Sequence, residues 1–125
     1  MTTLEQSKRL IELGVKKESA DRVWKWNKES LDYRPEKASK LETTDVPAWS
    51  INRLLNLLPN TIKEKSSGTE CTLSFGKDYV EYSGYDRYDS SVMIQLYYAE
   101  GRDFYENIYN AIVWVLENHK KTWVL

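Results

Sequence analysis

Three segments decide the fold of this chain: Cys71-Thr72-Leu73-Ser74-Phe75, Tyr79-Val80-Glu81-Tyr82-Ser83 and Val92-Met93-Ile94-Gln95-Leu96-Tyr97-Tyr98. Their side chains alternate with period two, the signature of half-buried strands. Cys71, Leu73 and Phe75 alternate with Thr72 and Ser74. Val80 and Tyr82 oppose Tyr79 and Glu81. Val92, Ile94, Leu96 and Tyr98 alternate with Met93, Gln95 and Tyr97. Gly76-Lys77-Asp78 is a tight turn, and Ser83–Ser90 is a second turn region. Short links allow only antiparallel neighbours, so the three strands form a meander.

A helix follows the meander. After a loop around Gly101, Asp103 can cap it, and Phe104, Ile108, Ala111, Ile112, Val115 and Leu116 give a wide apolar stripe. That stripe predicts a helix lying across one face of the sheet. Lys120 and Lys121 near its end suit the negative pole of the helix dipole.

Upstream, Thr3 and Gln6 have capping-box spacing, and Leu4, Leu10, Ile11 and Leu13 form one apolar face. Gly14 can end that helix in the left-handed conformation, with Val15 closing the hydrophobic contact. Residues 18–27 suit either a helix capped by Ser19 or a strand in which Trp24 and Trp26 share a face; a helical turn running into extended chain is favoured. Residues 28–44 are charge-rich and read as an exposed loop. In Val46–Pro59, Ile51, Leu54, Leu55 and Leu58 keep helical spacing. Ser50, or Asp45 with Pro47 in the first turn, can cap this helix, Trp49 can staple its start, and Pro59 stops it. Asn60–Glu70, with Ser66-Ser67-Gly68, reads as a loop. The expected fold is therefore α+β. It is a single domain of residues 1–125, a three- to four-stranded antiparallel meander packed against helices, with a long C-terminal helix and room for an extra strand near Trp24.

The totals exclude several jobs. At 125 residues the chain is one domain long and can bury a core without staples. Its net charge is −1, and residues 1–44 carry only +2, too weak for a polyanion-binding arm. One cysteine cannot form an internal disulfide and one histidine cannot build a multi-His metal site. No apolar run approaches the ~20 residues of a membrane span, and the N-terminus lacks signal-peptide regions, so the expected setting is cytoplasmic.

Each sharper reading competes with a plainer one. Tyr79, Tyr82, Tyr85 and Tyr88 look like a stacking ladder for single-stranded nucleic acid, but a spacing of three alternates strand faces. Asp78, Glu81, Asp86 and Asp89 also outnumber Lys77 and Arg87, which argues against phosphate contact. Asp86, Asp89 and Ser90 lack the ligand register of a calcium loop. Cys71 opens an apolar strand as a small hydrophobe, and His119 sits among lysines, where it should be solvated; the pair makes no thiol site. Trp114 should be partly buried beside the main stripe, and Trp123 should dock rather than fray. No catalytic residue, metal ligand or cofactor site is assigned.

The blocks Thr2-Thr3-Leu4-Glu5-Gln6-Ser7-Lys8-Arg9-Leu10-Ile11-Glu12-Leu13-Gly14 and Val46-Pro47-Ala48-Trp49-Ser50-Ile51-Asn52-Arg53-Leu54-Leu55-Asn56-Leu57-Leu58-Pro59 resemble small uncharacterised proteins of gut Bacteroidetes and their prophages. They cover about a fifth of the chain. The resemblance implies a bacterial or phage origin and carries over no functional residue.

The excess of Tyr and Trp without a reactive cluster points first to a non-enzymatic protein-interaction domain, with Tyr85, Tyr88, Tyr97 and Trp123 as the binding residues. Self-association through a free edge strand belongs to the same class. The alternative is a small-molecule-binding domain or minor enzyme with a carboxylate–Tyr pocket. A nucleic-acid or membrane partner is not expected.

Overall fold

In a computed structural model, which describes residues 1–37 and 44–119, the chain is α+β with two antiparallel sheets and three α-helices. The described residues gather into two units, one spanning Met1–Leu57 and the other beginning at Leu58.

The first unit starts with α1 (Leu4–Glu12). Thr3 Oγ1 accepts from the Gln6 amide at 3.1 Å and Gln6 Oε1 accepts from the Thr3 amide at 3.0 Å, which completes the expected capping box. The helix ends as Gly14 predicts. Gly14 has φ of 100°, its amide donates to Ile11, and the Val15 amide donates to Leu10. This bond pair satisfies two carbonyls of the last turn. Thr2, fully buried, then ties the N-terminus down. Its amide donates to the Trp49 carbonyl at 2.9 Å, its Oγ1 accepts from the Trp49 amide at 3.0 Å, and its carbonyl accepts from the Trp24 indole at 3.0 Å.

A short 3-10 turn (Lys17–Ser19) leads into β1 (Arg22–Asn27), so the ambiguous segment is a helical turn followed by extended chain. β1 lies between β2 (Asp32–Lys37) and β3 (Val46–Ala48). The expected loop over 28–44 is thereby corrected, since Asp32–Lys37 is a strand; residues 38–43 lie outside the described residues. The side chains of β2 are largely exposed. An edge strand can join a sheet through its backbone ladder alone, so its apolar pattern is weak and its sequence reads as loop. Trp26 faces Tyr33 across this pair with ring centroids 5.2 Å apart, edge to face.

The structure also chooses between the two possible caps of α2 (Ile51–Leu57). Val46–Ala48 is strand, so Asp45 and Pro47 do not start the helix. Ser50 does, and its carbonyl accepts from the Leu54 amide at 3.0 Å. Asp21 clamps Ser50, accepting its amide at 2.8 Å and its hydroxyl at 2.5 Å. Partial burial pushes the Asp21 carboxyl up, but the Ser50 hydrogen bonds and the Arg22 charge outweigh it and hold the group below the ordinary range. Trp49 is fully buried and its indole donates to Ser19 Oγ at 3.0 Å, a core role rather than a staple.

The second unit holds the expected meander with one more strand. Its sheet runs β4 (Thr61–Lys63), β5 (Glu70–Gly76), β6 (Tyr79–Tyr85) and β7 (Met93–Glu100), each antiparallel to the next. β4 arises inside the expected loop Asn60–Glu70, and three residues are too few to show a period. Helix α3 (Phe104–Asn118) begins at Asp103, whose side chain accepts from the Glu106 amide at 3.1 Å. Ile108, Ala111, Ile112, Val115 and Leu116 are buried, as the stripe predicts. Lys120 and Lys121 lie outside the described residues.

One irregularity redistributes the tyrosines. The β6–β7 register passes from Tyr82 opposite Tyr97 to Ser83 opposite Gln95, leaving Leu96 without a partner. This is a β-bulge, which shifts the alternation of faces by one residue. Uninterrupted alternation puts Tyr98 with Ile94 and Leu96. Instead Tyr97 joins their face, and Tyr98 turns outward to stack on Tyr79 at 6.5 Å.

Candidate functional site

The second unit presents its most exposed aromatic residues at one end of the four-stranded sheet. Tyr85, the last residue of β6, is 66% exposed and Tyr88 81%. Val92 and Met93 stand beside them at 46% and 55%, and Met93 is the cross-strand partner of Tyr85. This is an apolar surface that the unit's own core leaves uncovered.

The loop carrying Tyr88 is built rather than loose. The Asp86 amide donates to the Val92 carbonyl at 2.8 Å and the Val92 amide to the Asp89 carbonyl at 3.0 Å. Asp86 Oδ1 accepts from the Tyr88 amide at 2.8 Å and the Asp89 amide at 3.1 Å. Asp89 Oδ1 accepts from the Ser91 amide at 3.0 Å and its hydroxyl at 2.5 Å, which holds the Asp89 carboxyl below its ordinary range. These are Asx-type turns, in which a side chain replaces a backbone acceptor. Asp86 and Asp89 are thus engaged in shaping the loop, and Arg87 and Tyr88 project from it. The Arg87 guanidinium lies 5.7 Å from the Tyr88 ring centroid.

The neighbouring β4–β5 turn has the same character. Glu64 accepts from the Ser66 hydroxyl at 2.6 Å, the Ser67 hydroxyl at 2.6 Å and the Ser67 amide at 2.7 Å. These donors, led by Ser66, pull its carboxyl from 4.5 to about 2. Gly68 sits at φ of 70°, the left-handed region this turn requires. Buried Thr69 links the two turns, its Oγ1 accepting from the Arg87 amide at 3.1 Å.

Between the turns lies an open cleft of about 440 Å³, lined by Lys63, Gly68, Thr69, Glu70, Tyr85 and Arg87. Lys63 and Glu70 are directly opposite each other in the sheet. Arg87 makes no ion pair with a carboxylate of the described residues. The cleft therefore offers two cations, one acid and an aromatic ring.

Of the residues singled out from sequence, the structure brings Tyr85 and Tyr88 to this end of the sheet. Tyr97 is elsewhere: its ring is half-buried, 4.6 Å from Trp114, and burial pushes its phenol up. Trp123 lies outside the described residues. Tyr82, on the inner face, is fully buried and donates to the Pro59 carbonyl at 2.7 Å. Lys63 and Thr69 left no signal in the sequence, and Arg87 stood out there only as a cation outnumbered by nearby acids. Ser66-Ser67-Gly68 marked a turn there, but no spacing brings Lys63 to Arg87.

Cys71 is fully buried, and burial pushes its thiol up, the reverse of an activated nucleophile. His119 is not solvated as expected. Its ring packs 4.7 Å from Trp114, and burial lowers its affinity for a proton. No helix among the described residues is long and apolar enough to cross a membrane. Comparison with protein-family models, curated proteins and solved structures finds no match for this chain.

Proposed function

We propose that this chain is a protein-binding module whose contact surface is the Tyr85–Tyr88 end of the four-stranded sheet. One observation carries the reading: Tyr85 and Met93 at the facing ends of β6 and β7, with Tyr88 and Val92 in the hydrogen-bonded turn between them, are exposed together beside Arg87. Tyr, Met and Arg are the types enriched where proteins bury surface against one another. Covering each ring contributes on the order of 1–3 kcal/mol before ordering costs. The turns are already ordered by their own hydrogen bonds, which keeps those costs low.

The partner brings an apolar anchor to Tyr85 and Tyr88 and a carboxylate to Arg87, which makes no ion pair among the described residues. The turn-building carboxylates of Asp86, Asp89 and Glu64 keep their negative charge, so the polar part of the contact is one local pair rather than a basic patch. A bacterial or prophage setting, taken from the sequence resemblance, and a cytoplasmic location, taken from the lone thiol, belong to the same proposal.

The cleft favours a second reading, in which Lys63 and Arg87 hold an anionic small molecule, with Glu70 and Tyr85 as the carboxylate–Tyr pair. Affinity capture with the full chain separates the two. The first reading expects a partner that is lost with Tyr85→Ala/Tyr88→Ala and with Arg87→Glu, while far-UV circular dichroism is unchanged. A partner retained by all variants sinks it. Thermal stabilisation by small dicarboxylates or phosphates that Arg87→Glu abolishes, with no protein captured, favours the second.

A further inference from the structure

We infer that two copies of this chain join edge to edge along β7, antiparallel, about a two-fold axis between Leu96 and Tyr97. The inference stands on a different feature from the Tyr85–Tyr88 end, namely the free edge of the sheet.

Among the described residues, three of the four sheet edges carry proline, basic charge or extreme shortness, which discourage further pairing. β2 contains Pro35 and is flanked by charge at Arg34, Glu36 and Lys37. β3 has only three residues, one of them Pro47. β4 has three residues and ends in Lys63. The β7 edge lacks proline, basic charge and shortness, and its one interruption is the bulge at Leu96. It is eight residues long, Met93-Ile94-Gln95-Leu96-Tyr97-Tyr98-Ala99-Glu100, with no proline, no lysine and no arginine. It pairs with β6 on one side, and among the described residues nothing hydrogen-bonds the backbone of its other side.

The bulge then makes this edge self-complementary. Along β7 the side chains run exposed, half-buried, exposed, half-buried, half-buried, exposed, half-buried, exposed. That order reads the same in both directions, with its centre between Leu96 and Tyr97. Eight residues of plain alternation would not, and pairing about their centre would set inward residues against outward ones. In the paired edges Met93 lies opposite Glu100 of the second copy, Gln95 opposite Tyr98, Ile94 opposite Ala99 and Leu96 opposite Tyr97. Inner meets inner and outer meets outer at every position. Glu100 is the strand's only charged side chain, and the two copies of it fall at opposite ends, roughly 24 Å apart at ~3.4 Å per residue. No like charges face each other. The interface is isologous, as a closed two-fold dimer requires.

Sedimentation equilibrium of the full chain tests this, with two pairs of variants at the exposed positions Gln95 and Tyr98. The expected result is a reversible monomer–dimer equilibrium. Gln95→Lys/Tyr98→Lys sets lysine against lysine twice and weakens dimerisation about tenfold or more, as does Gln95→Glu/Tyr98→Glu with glutamates. Mixing the two restores a heterodimer. Gln95→Cys/Tyr98→Cys gives a disulfide-linked dimer on oxidation, whereas either single cysteine variant gives much less, because each residue faces the other position. Far-UV circular dichroism confirms that the variants fold. A wild-type chain that stays monomeric up to its solubility limit overturns the inference. So does a dimer indifferent to the charge pairs, or one cross-linked equally by the single cysteines. Loss of dimer with retained partner binding at Tyr85–Tyr88, or the reverse, tells the two surfaces apart.

Discussion

Tyr97 packs its ring 4.6 Å from Trp114 because Leu96 is an extra residue in β7. Were Leu96 paired in plain alternation, Tyr98 would face the helix in place of Tyr97. Trp114 is the centre of a cluster that also takes in Tyr82 at 6.0 Å and His119 at 4.7 Å. One skipped register position thus decides which of two adjacent tyrosines serves the core.

Adjacent tyrosines should therefore differ sharply in their contribution. Tyr97→Ala is expected to cost about 2–4 kcal/mol, from lost burial and a cavity against Trp114. Tyr98→Ala loses an exposed stack on Tyr79 and a hydrogen bond to Glu100, and should cost less than about 1 kcal/mol. Urea midpoints of the two variants check the order; equal losses would mean the face assignment is wrong.

Gly84 sits where β5 and β6 approach closely. A Cβ there would lie 2.3 Å from the Glu70 carbonyl oxygen, a backbone atom that cannot swing aside. Gly84→Ala should destabilise the second unit by about 1–3 kcal/mol or more. Cys71→Ala, which removes only a small buried side chain, serves as the milder neighbour. A chemical-denaturation curve for Gly84→Ala that overlays the wild type would contradict the packing.

Leu31 adopts φ of 56° in the β1–β2 connection while its side chain is 71% exposed. A branched residue in the left-handed region costs about 1–2 kcal/mol, and asparagine tolerates it far better. Leu31→Asn is predicted to raise the thermal midpoint, with a gain of roughly 0.5–1 kcal/mol. A lower midpoint would show that the leucine side chain itself stabilises the turn.

Acid should weaken the β4–β5 turn through Glu64. Its carboxyl is depressed to about 2 from an ordinary 4.5, so the contribution to stability is complete above pH 4.5 and is lost as pH falls toward 2. Glu64→Gln removes this dependence. The wild-type advantage over Glu64→Gln, read from urea midpoints, should be constant above about pH 5 and shrink below 4.5. A gap that stays constant down to pH 2.5 would rule out the carboxylate as its cause.

Most of the second unit was legible residue by residue. Three strands and the α3 stripe rest on long apolar repeats, and the caps at Thr3, Ser50 and Asp103 rest on side chains that can reach a free amide. β2 and β4 were not legible. One is charged edge sequence and the other three residues long, and each is held by backbone bonds to a neighbour that carries the apolar pattern. The candidate surface was half legible. Tyr85 at the end of β6 and Tyr88 in the turn after it fall where the sequence expects a turn region, while Tyr97 is withdrawn by a bulge that leaves no mark in composition.

The amino-acid sequence by itself determined the α+β class, the meander with its covering helix, the helix ends and the lack of any bias toward polyanions. These depend on local spacing, local hydrogen-bonding capacity and total charge. Only the tertiary structure decided which face each tyrosine of β7 takes, that Lys63 and Arg87 share a cleft, and that among the described residues β7 is the sheet edge with neither proline nor basic charge. Such features depend on strand register and on pairs of residues far apart in sequence. A register shifts by whole residues for reasons of packing, and periodicity within one strand does not encode it.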